Sequence, residues 1–248
     1  MIVLFTDFGW QDPYVGQIKA VLSQAAPGAP IVDLLHSVAN FNAHAGAVLL
    51  DALAGQFPPG SVFLAVVDPG VGGPRGALVV EAAGRWYVGP DNGLLSIVAA
   101  RAGDARYWHI DWRPEHLSAS FHGRDLFAPI AGAIAAGVFP SDKLTSITVP
   151  EVHFDPADLP RIVYIDHYGN AWTGLRGGLM ADEKVLMLKG QRRLTHRSTY
   201  HAAAKDEVFW YVNSVGLVEI AVNRGSAAEQ LSLAIGDLVG IERRAANA

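Results

Sequence analysis

Pro150-Glu151-Val152-His153-Phe154-Asp155-Pro156-Ala157-Asp158-Leu159-Pro160 holds three prolines in eleven residues. Proline gives no backbone N–H and turns the residue before it away from helix. The stretch reads as a linker, and the pattern differs on its two sides. Before it, short β-branched runs alternate with helical periodicity. Ile2–Phe5 reads as a buried strand, and Ile31–Leu35 and Ser61–Val67 as the second and third strands. Tyr14–Gln24 reads as a helix with Val15, Ile18, Val21 and Leu22 on one face, and His44–Phe57 as a second, stopped by Pro58-Pro59-Gly60. Ala77–Ala82 and Trp86–Val88 flank Gly84 as a hairpin, and Leu94–Ala102 and Asp125–Gly137 are further helices. This alternation predicts an α/β domain with a mainly parallel sheet over residues 1–150. After the linker at 151–160, strands dominate: Ile162–Ile165, Val185–Leu188, Val208–Val212, Leu217–Val222 and Leu238–Ile241. Residues 161–248 therefore read as a small all-β, barrel-like domain.

Composition narrows the function classes. The chain has 248 residues, 50% hydrophobic and 17% charged, which excludes a disordered polymer. It has no cysteine, so disulfides, thiolate zinc sites and a cysteine nucleophile are excluded. Nineteen basic residues against 24 acidic ones give a net charge of −5, which argues against a nucleic-acid partner. No apolar run approaches the ~20 residues of a membrane span. Met1–Phe5 is apolar but lacks a basic flank, and Thr6-Asp7 interrupts it. The expectation is a cytoplasmic protein with neither a membrane nor a nucleic-acid partner.

In a parallel sheet, ligands sit beyond the carboxyl ends of the strands. Thr6-Asp7-Phe8-Gly9-Trp10-Gln11-Asp12 follows the first strand there, and Asp68-Pro69-Gly70-Val71-Gly72-Gly73-Pro74-Arg75 follows the third. Gly89-Pro90-Asp91-Asn92-Gly93 and Ser120-Phe121-His122-Gly123-Arg124-Asp125 each precede a helix. Some of these have plain structural readings: Asp12 as a helix cap before Pro13, and Pro90-Asp91-Asn92-Gly93 as a turn. The loop at 68–75 resists such a reading, because it is unusually constrained and carries both an acid and a base. Neither a dinucleotide-binding glycine pattern nor a P-loop is present, and no His-Glu-x-x-His spacing occurs. A carboxylate-rich metal site built from Asp7, Asp12, Asp68 and Asp91 stays open at this level, and with it a metal-dependent nucleoside or nucleotide hydrolase.

Six stretches together resemble one family, the S-adenosyl-L-methionine hydroxide adenosyltransferases. They are Thr6-Asp7-Phe8-Gly9, Asp68-Pro69-Gly70-Val71-Gly72, Gly89-Pro90-Asp91-Asn92-Gly93, Phe121-His122-Gly123-Arg124-Asp125, Asp166-His167-Tyr168-Gly169-Asn170 and Asn213-Ser214-Val215-Gly216, in family order. The resemblance implies an α/β half followed by a β-barrel half. It implies cleavage of S-adenosylmethionine at C5′ by a water-derived nucleophile, giving adenosine and L-methionine, with no cofactor or metal. The implied catalytic set is Asp68, Arg75 and His122, which matches the hydrolytic branch. The halogenating branch has an aromatic hydroxyl residue at Asp68 and a serine at Gly123.

Further roles are implied position by position. Asp7 would grip the ribose hydroxyls, with Phe8, Phe41 and Phe121 among the substrate contacts. Asp166 and Ser214 would hold the methionine ammonium and carboxylate, Tyr168 would stack on adenine, and Asn170 would read its edge. Val215 stands where the halogenating branch has an arginine near the methionine carboxylate, a contact Arg224 could supply instead. The family is typically a homotrimer with sites between subunits. How the hydroxide forms stays open, with His122 as base or Arg75 as electrostatic stabiliser. A third reading, a binding module for adenosine or S-adenosylmethionine, would release no product.

Overall fold

The computed structural model describes residues 1–180, 184–188 and 192–243, and it divides into two compact units, Met1–Pro156 and Ala157–Ala248. Residues 181–183, 189–191 and 244–248 of the second domain's expected range lie outside the described residues. The fold class is the one expected: an α/β unit and a nearly barrel-shaped β unit.

The first unit runs β1 (Ile2–Thr6), α1 (Tyr14–Ala25), β2 (Ile31–Leu35), α2 (Ala43–Ala54), β3 (Val62–Val66), β4 (Ala77–Ala82), β5 (Arg85–Pro90), α3 (Ser96–Ala102) and β6 (Arg106–Ile110). A π-helical turn, Gly123–Phe127, then feeds α4 (Ala128–Ala135), and β7 (Leu144–Ile147) completes the sheet. The strand order is β2-β1-β3-β5-β4-β6-β7. The β2-β1-β3-β5 side is parallel, while β4, β6 and β7 pair antiparallel. β1 and β3 are buried along their whole length, hence their unbroken apolar runs. Ile2, Leu4, Leu64 and Val66 pack with Ile18 and Leu22 of α1 and with Ile130 and Ile134 of α4. Each such side chain contributes about 1.5–3 kcal/mol when fully buried. This packing sets the carboxyl ends of β1 and β3 side by side, since Thr6 pairs with Val66. Asp7 and Asp68 leave the sheet from that edge.

Glu151 and Val152 are tied to this unit by N–H bonds to the buried Asp91 carboxylate (2.9 and 3.2 Å), and Phe154 by an N–H bond to Ser96.

The second unit contains β8 (Leu159–Ile165), β9 (Ala171–Arg176), β10 (Lys184–Leu188), β11 (Arg192–His196), β12 (Val208–Val212), β13 (Leu217–Val222), α5 (Ala227–Leu231) and β14 (Val239–Arg243). Their order is β14-β10-β11-β12-β13-β9-β8, and an antiparallel bridge from Arg161 to Leu238 brings the two edges together. Near-closure covers the strand edges that an open sheet would leave unpaired. Leu175, Leu186, Trp210, Val218 and Ile220 fill its interior. No helix among the described residues is long and apolar enough to cross a membrane.

Candidate active site

The loop after β3 folds back so that Arg75 returns to Asp68. Val71 N–H bonds to Asp68 O, and Gly73 N–H to Gly70 O. Gly72 lies at φ +77°, and a Cβ there would fall 2.3 Å from the Ala119 carbonyl oxygen. Only glycine lets the loop lie so close to that backbone.

Arg75 spends its guanidinium on four bonds. Nε donates to Asp68 Oδ1 (2.9 Å), Nη2 to Asp68 Oδ2 and also to His122 Nδ1 (3.0 Å), and Nη1 to Gly76 O (3.1 Å). Its Cζ sits 5.2 Å from the Phe127 ring centroid. A bidentate fork of this kind fixes direction as well as charge. Asp68, Arg75 and His122, the three residues expected to act as a set, are thus joined with Arg75 at the centre.

Arg75 can only donate, so His122 Nδ1 must accept. The ring is then neutral, with its proton on Nε2. Burial, and after it the adjacent Arg75 cation, push the His122 pKa below its ordinary value of 6.5. The unfolded chain therefore binds a proton that the folded chain resists. In the window from 6.5 down to the lowered value, stability rises with pH; it is present in full above 6.5 and is lost as pH falls through the folded pKa. The melting temperature is expected to climb through this window in the parent and to be flatter in His122→Asn. Turnover is expected to fall on the same acid limb, because a protonated ring expels Arg75. Equal slopes in both proteins, measured by melting against pH, would remove His122 as the titrating group.

Asp7 stands on the turn after β1. Its Oδ2 accepts from Phe41 N–H at 3.1 Å. Burial raises the Asp7 pKa, outweighing that backbone bond, and the nearby Asp68 charge adds to the rise. Phe41, 73% exposed, is held at φ +63°, a costly conformation for a bulky residue. Asp7, Phe8, Phe41, Asp68, Phe121 and His122 line one cavity of about 330 Å³ in this unit. Arg75 is not on its wall but stands behind Asp68 and His122. Tyr14, which sequence reasoning missed, packs edge-on to Phe121 at 5.4 Å and joins the lining.

The second unit holds a larger cavity of about 740 Å³, lined by Asp166, Tyr168, Asn170, Ser214 and Arg224. Asp166 Oδ1 accepts the N–H groups of Tyr168 and Asn170 (both 2.9 Å), and Oδ2 accepts Asn170 Nδ2 (2.8 Å). That bond orients the Asn170 amide and leaves its Oδ1 buried with no partner among the described residues; Trp172 Nε1 shares that condition. Gly169, at φ +81°, is pressed on Ser226, where a Cβ would fall 2.0 Å from Oγ. Tyr168 is 74% exposed, and Arg224 is held at φ +65°.

Glu219 was not legible as a site residue. It lines the same cavity, only 2% exposed, and accepts from Tyr211 OH (2.7 Å), Tyr200 OH (3.4 Å) and Asn213 Nδ2 (3.1 Å). Burial raises its pKa, outweighing those bonds. Asn213 Oδ1 in turn accepts Val215 and Leu217 N–H, which shapes the turn that carries Ser214. The one sequence signal for it is an acid inside the apolar run Leu217-Val218-Glu219-Ile220-Ala221-Val222, which sequence reasoning passed over.

The rival carboxylate set does not converge. Asp12 and Asp91 are absent from the first cavity's walls, Asp91 is spent on Glu151 and Val152, and Asp68 on Arg75. Among the described residues no group of three or more His, Cys, Asp or Glu could hold a metal ion. Nor does Asp12 cap α1: Pro13 holds the cap position, without a side-chain bond. Asn92 does play the expected turn role, accepting Leu94 N–H and donating to Val67 O.

Comparison with known proteins gives two family matches. Residues 2–144 match the SAM hydroxide adenosyltransferase N-terminal domain, and residues 160–240 match the corresponding C-terminal domain. The chain is 38% identical over 253 residues to a Thermus thermophilus protein named (R)-S-adenosyl-L-methionine hydrolase, covering 95% of this chain and 96% of the relative. It is 35% identical over 248 residues to a protein of the same name from Salinispora arenicola, covering 94% of each. An uncharacterised conserved protein of Thermotoga maritima has a similar crystal structure, with a TM-score of 0.89 and 31% identity over 98% of this chain and 100% of that one.

Proposed function

The chain belongs to the SAM hydroxide adenosyltransferase family, and on that premise we propose that it hydrolyses S-adenosyl-L-methionine to adenosine and L-methionine. The observation that carries the reading is the joined Asp68–Arg75–His122 set beside a cavity that also holds Asp7.

The chemistry follows from the substrate's charge. The sulfonium leaves as neutral methionine, taking the C5′–S electron pair, so departure needs no general acid. What the protein must supply is a water aligned with that bond and stripped of competing solvent. Neutral His122 carries its proton on Nε2 and is a donor to that water. Its Nδ1 lone pair is already committed to Arg75. Asp68 lines the cavity, and each of its oxygens accepts one bond from Arg75. Its remaining lone pairs are the acceptor for the proton the water sheds as C5′–O forms, and that proton passes on to solvent. Arg75 orients both partners.

The remaining roles are proposals of the same kind. Asp7 takes the ribose hydroxyls, and Phe8, Phe41 and Phe121 flank the sugar. Tyr168, exposed on the wall of the second cavity, takes adenine, and the unpartnered Asn170 Oδ1 accepts from its amine. Asp166 and Ser214 take the methionine ammonium and carboxylate. Arg224 supplies the cation missing at Val215. The enzyme works without a cofactor or metal, in the cytoplasm, as a homotrimer whose sites combine the first domain of one subunit with the second domain of a neighbour.

Hydrolysis rather than halogenation is the expected outcome. Gly123 has no hydroxyl to replace a halide's hydration, and the Asp68 carboxylate repels an anion. In oxygen-18 water and concentrated chloride, adenosine labelled at its 5′ oxygen should be the only nucleoside product. A substantial yield of 5′-chloro-5′-deoxyadenosine, or unlabelled adenosine, would sink the proposal. Recovery of intact substrate alone would favour a binding module.

A further inference from the structure

The turn that carries Asp7 is held from beneath by a relay that begins at the half-exposed Lys19 and Asp33, ends in the buried His36 and Thr6, and touches no cavity wall except through that turn. Lys19 Nζ donates to Asp33 Oδ2 (2.5 Å), Asp33 Oδ1 meets His36 Nε2 (3.0 Å), and His36 Nδ1 meets Thr6 Oγ1 (2.7 Å). Phe8 N–H donates to the same Thr6 oxygen (3.3 Å), and Gly9 N–H to the His36 carbonyl (2.7 Å). Thr6 and His36 are each 1% exposed, and Trp10 lies edge-on to the imidazole at 4.7 Å.

The donors and acceptors of this relay can be assigned from its carboxylate end. Burial alone would raise the Asp33 pKa, but the bonds from His36 and Lys19 outweigh it and hold the carboxyl below its ordinary range. As a carboxylate Asp33 can only accept, so Nε2–H of His36 points to it. With Nε2–H spent on Asp33, the tautomer that carries a single proton leaves Nδ1 as the acceptor for the Thr6 hydroxyl proton. The Thr6 oxygen is left with lone pairs for Phe8 N–H. That last bond runs from residue 6 to residue 8 and closes the turn over Asp7. The order Asp33, His36, Thr6 is that of a nucleophile triad, but its burial keeps any substrate away from the hydroxyl.

We propose that His36 is a positioning residue for ribose recognition, fixing the Thr6 hydroxyl that clamps the turn presenting Asp7. The proposal rests on the reading of Asp7 as a ribose contact. A hydroxyl whose proton is committed to His36 cannot rotate, so the turn has one conformation rather than several. The free energy of ordering Asp7 is then met in folding rather than at binding.

The test is steady-state kinetics with S-adenosylmethionine on single and double variants. Thr6→Val keeps the shape and removes the hydroxyl, and it should raise KM about tenfold with kcat within about threefold of the parent. Thr6→Ser should bring KM back to within a few-fold of the parent. His36→Phe keeps a ring against Trp10, and it should raise KM like Thr6→Val, with the double variant no worse than either single one. Asp7→Ala should raise KM, and adding Thr6→Val to it should change nothing further. If Asp7→Ala raises KM and Thr6→Val does not, the proposal fails alone. If Asp7→Ala leaves KM at the parental value, the ribose reading fails and takes the proposal with it. If Thr6→Ser is no better than Thr6→Val, the effect is one of packing and the proposal is overturned. Should His36→Phe fail to fold, the Thr6 pair decides.

Discussion

Arg75→Lys is expected to lower kcat about 10²–10³-fold while leaving KM for S-adenosylmethionine within a few-fold of the parent. Arg75 makes two bonds to Asp68, one to His122 and one to Gly76 O, and lies over Phe127. An ammonium has no planar fork, so it can reach Asp68 or His122 but cannot hold both in register. His122 Nδ1 then loses its fixed donor, and the imidazole can place its proton on either nitrogen. Asp68 loses the constraint on its carboxylate plane. Both effects scatter the water's position, which bears on the reacting geometry and not on the substrate's contacts. Lysine is chosen over alanine because Asp68 is buried, and a buried carboxylate with no cation costs about 3–5 kcal/mol and would confound rate with unfolding. Single-turnover rates and melting temperatures, measured together, check the claim. A raised KM with unchanged kcat would assign Arg75 to binding, and parental values of both would remove it from the site.

The parts of the fold that were legible are those where burial imposes a simple pattern. β1 and β3 lie inside the parallel half of the first sheet and are buried throughout, so Ile2–Phe5 and Ser61–Val67 are nearly unbroken apolar runs; β2, half-buried at the sheet's edge and interrupted by Asp33, still reads as a strand from Ile31, Val32, Leu34 and Leu35. β6 and β7 lie at the far edge. Their sequences, Arg106-Tyr107-Trp108-His109-Ile110 and Leu144-Thr145-Ser146-Ile147, bury only Ile110 and carry no clear strand period. β11 escaped for the same reason, with Leu194 its single buried side chain. The helix expected over Asp125–Gly137 opens as a π-helical turn from Gly123, which periodicity cannot distinguish from ordinary helix.

The candidate site divides in the same way. Asp68 and Arg75 sit in a glycine-rich loop whose composition marks it, and His122 and Asp166 in short polar stretches, Ser120–Asp125 and Asp166–Asn170, that each carry one glycine. Glu219, Tyr200 and Tyr211 sit in or beside strands of the second sheet, where an acid or a phenol looks like an ordinary surface or core position until its partners are known. The Thr6–His36 bond spans 30 residues, so no local pattern could reveal it.

Two variants that are each nearly inactive are expected to recover activity when their subunits are mixed, and this is the sharpest check on where the site lies. Asp68→Asn damages the first domain. Asn can accept only one of the two Arg75 bonds and turns its amide donors toward the other, so kcat should fall about 10²-fold or more. Asp166→Asn damages the second. Its oxygen can still cap the Tyr168 and Asn170 N–H groups, but its amide faces Asn170 Nδ2 donor to donor and the charge for the substrate ammonium is gone. That variant should lose most of its activity at low substrate concentration. If every site joins one subunit's first domain to a neighbour's second domain, random co-assembly leaves about a quarter of sites with both halves intact. Co-expressed or co-refolded mixtures should then reach about a quarter of parental activity, far above either variant alone. A site contained within one subunit cannot do this, because every chain in the mixture carries one defect. Activity in the mixture no higher than the mean of the two variants, with mixed assemblies verified by mass, would reject the shared site and require both domains of one chain to complete it.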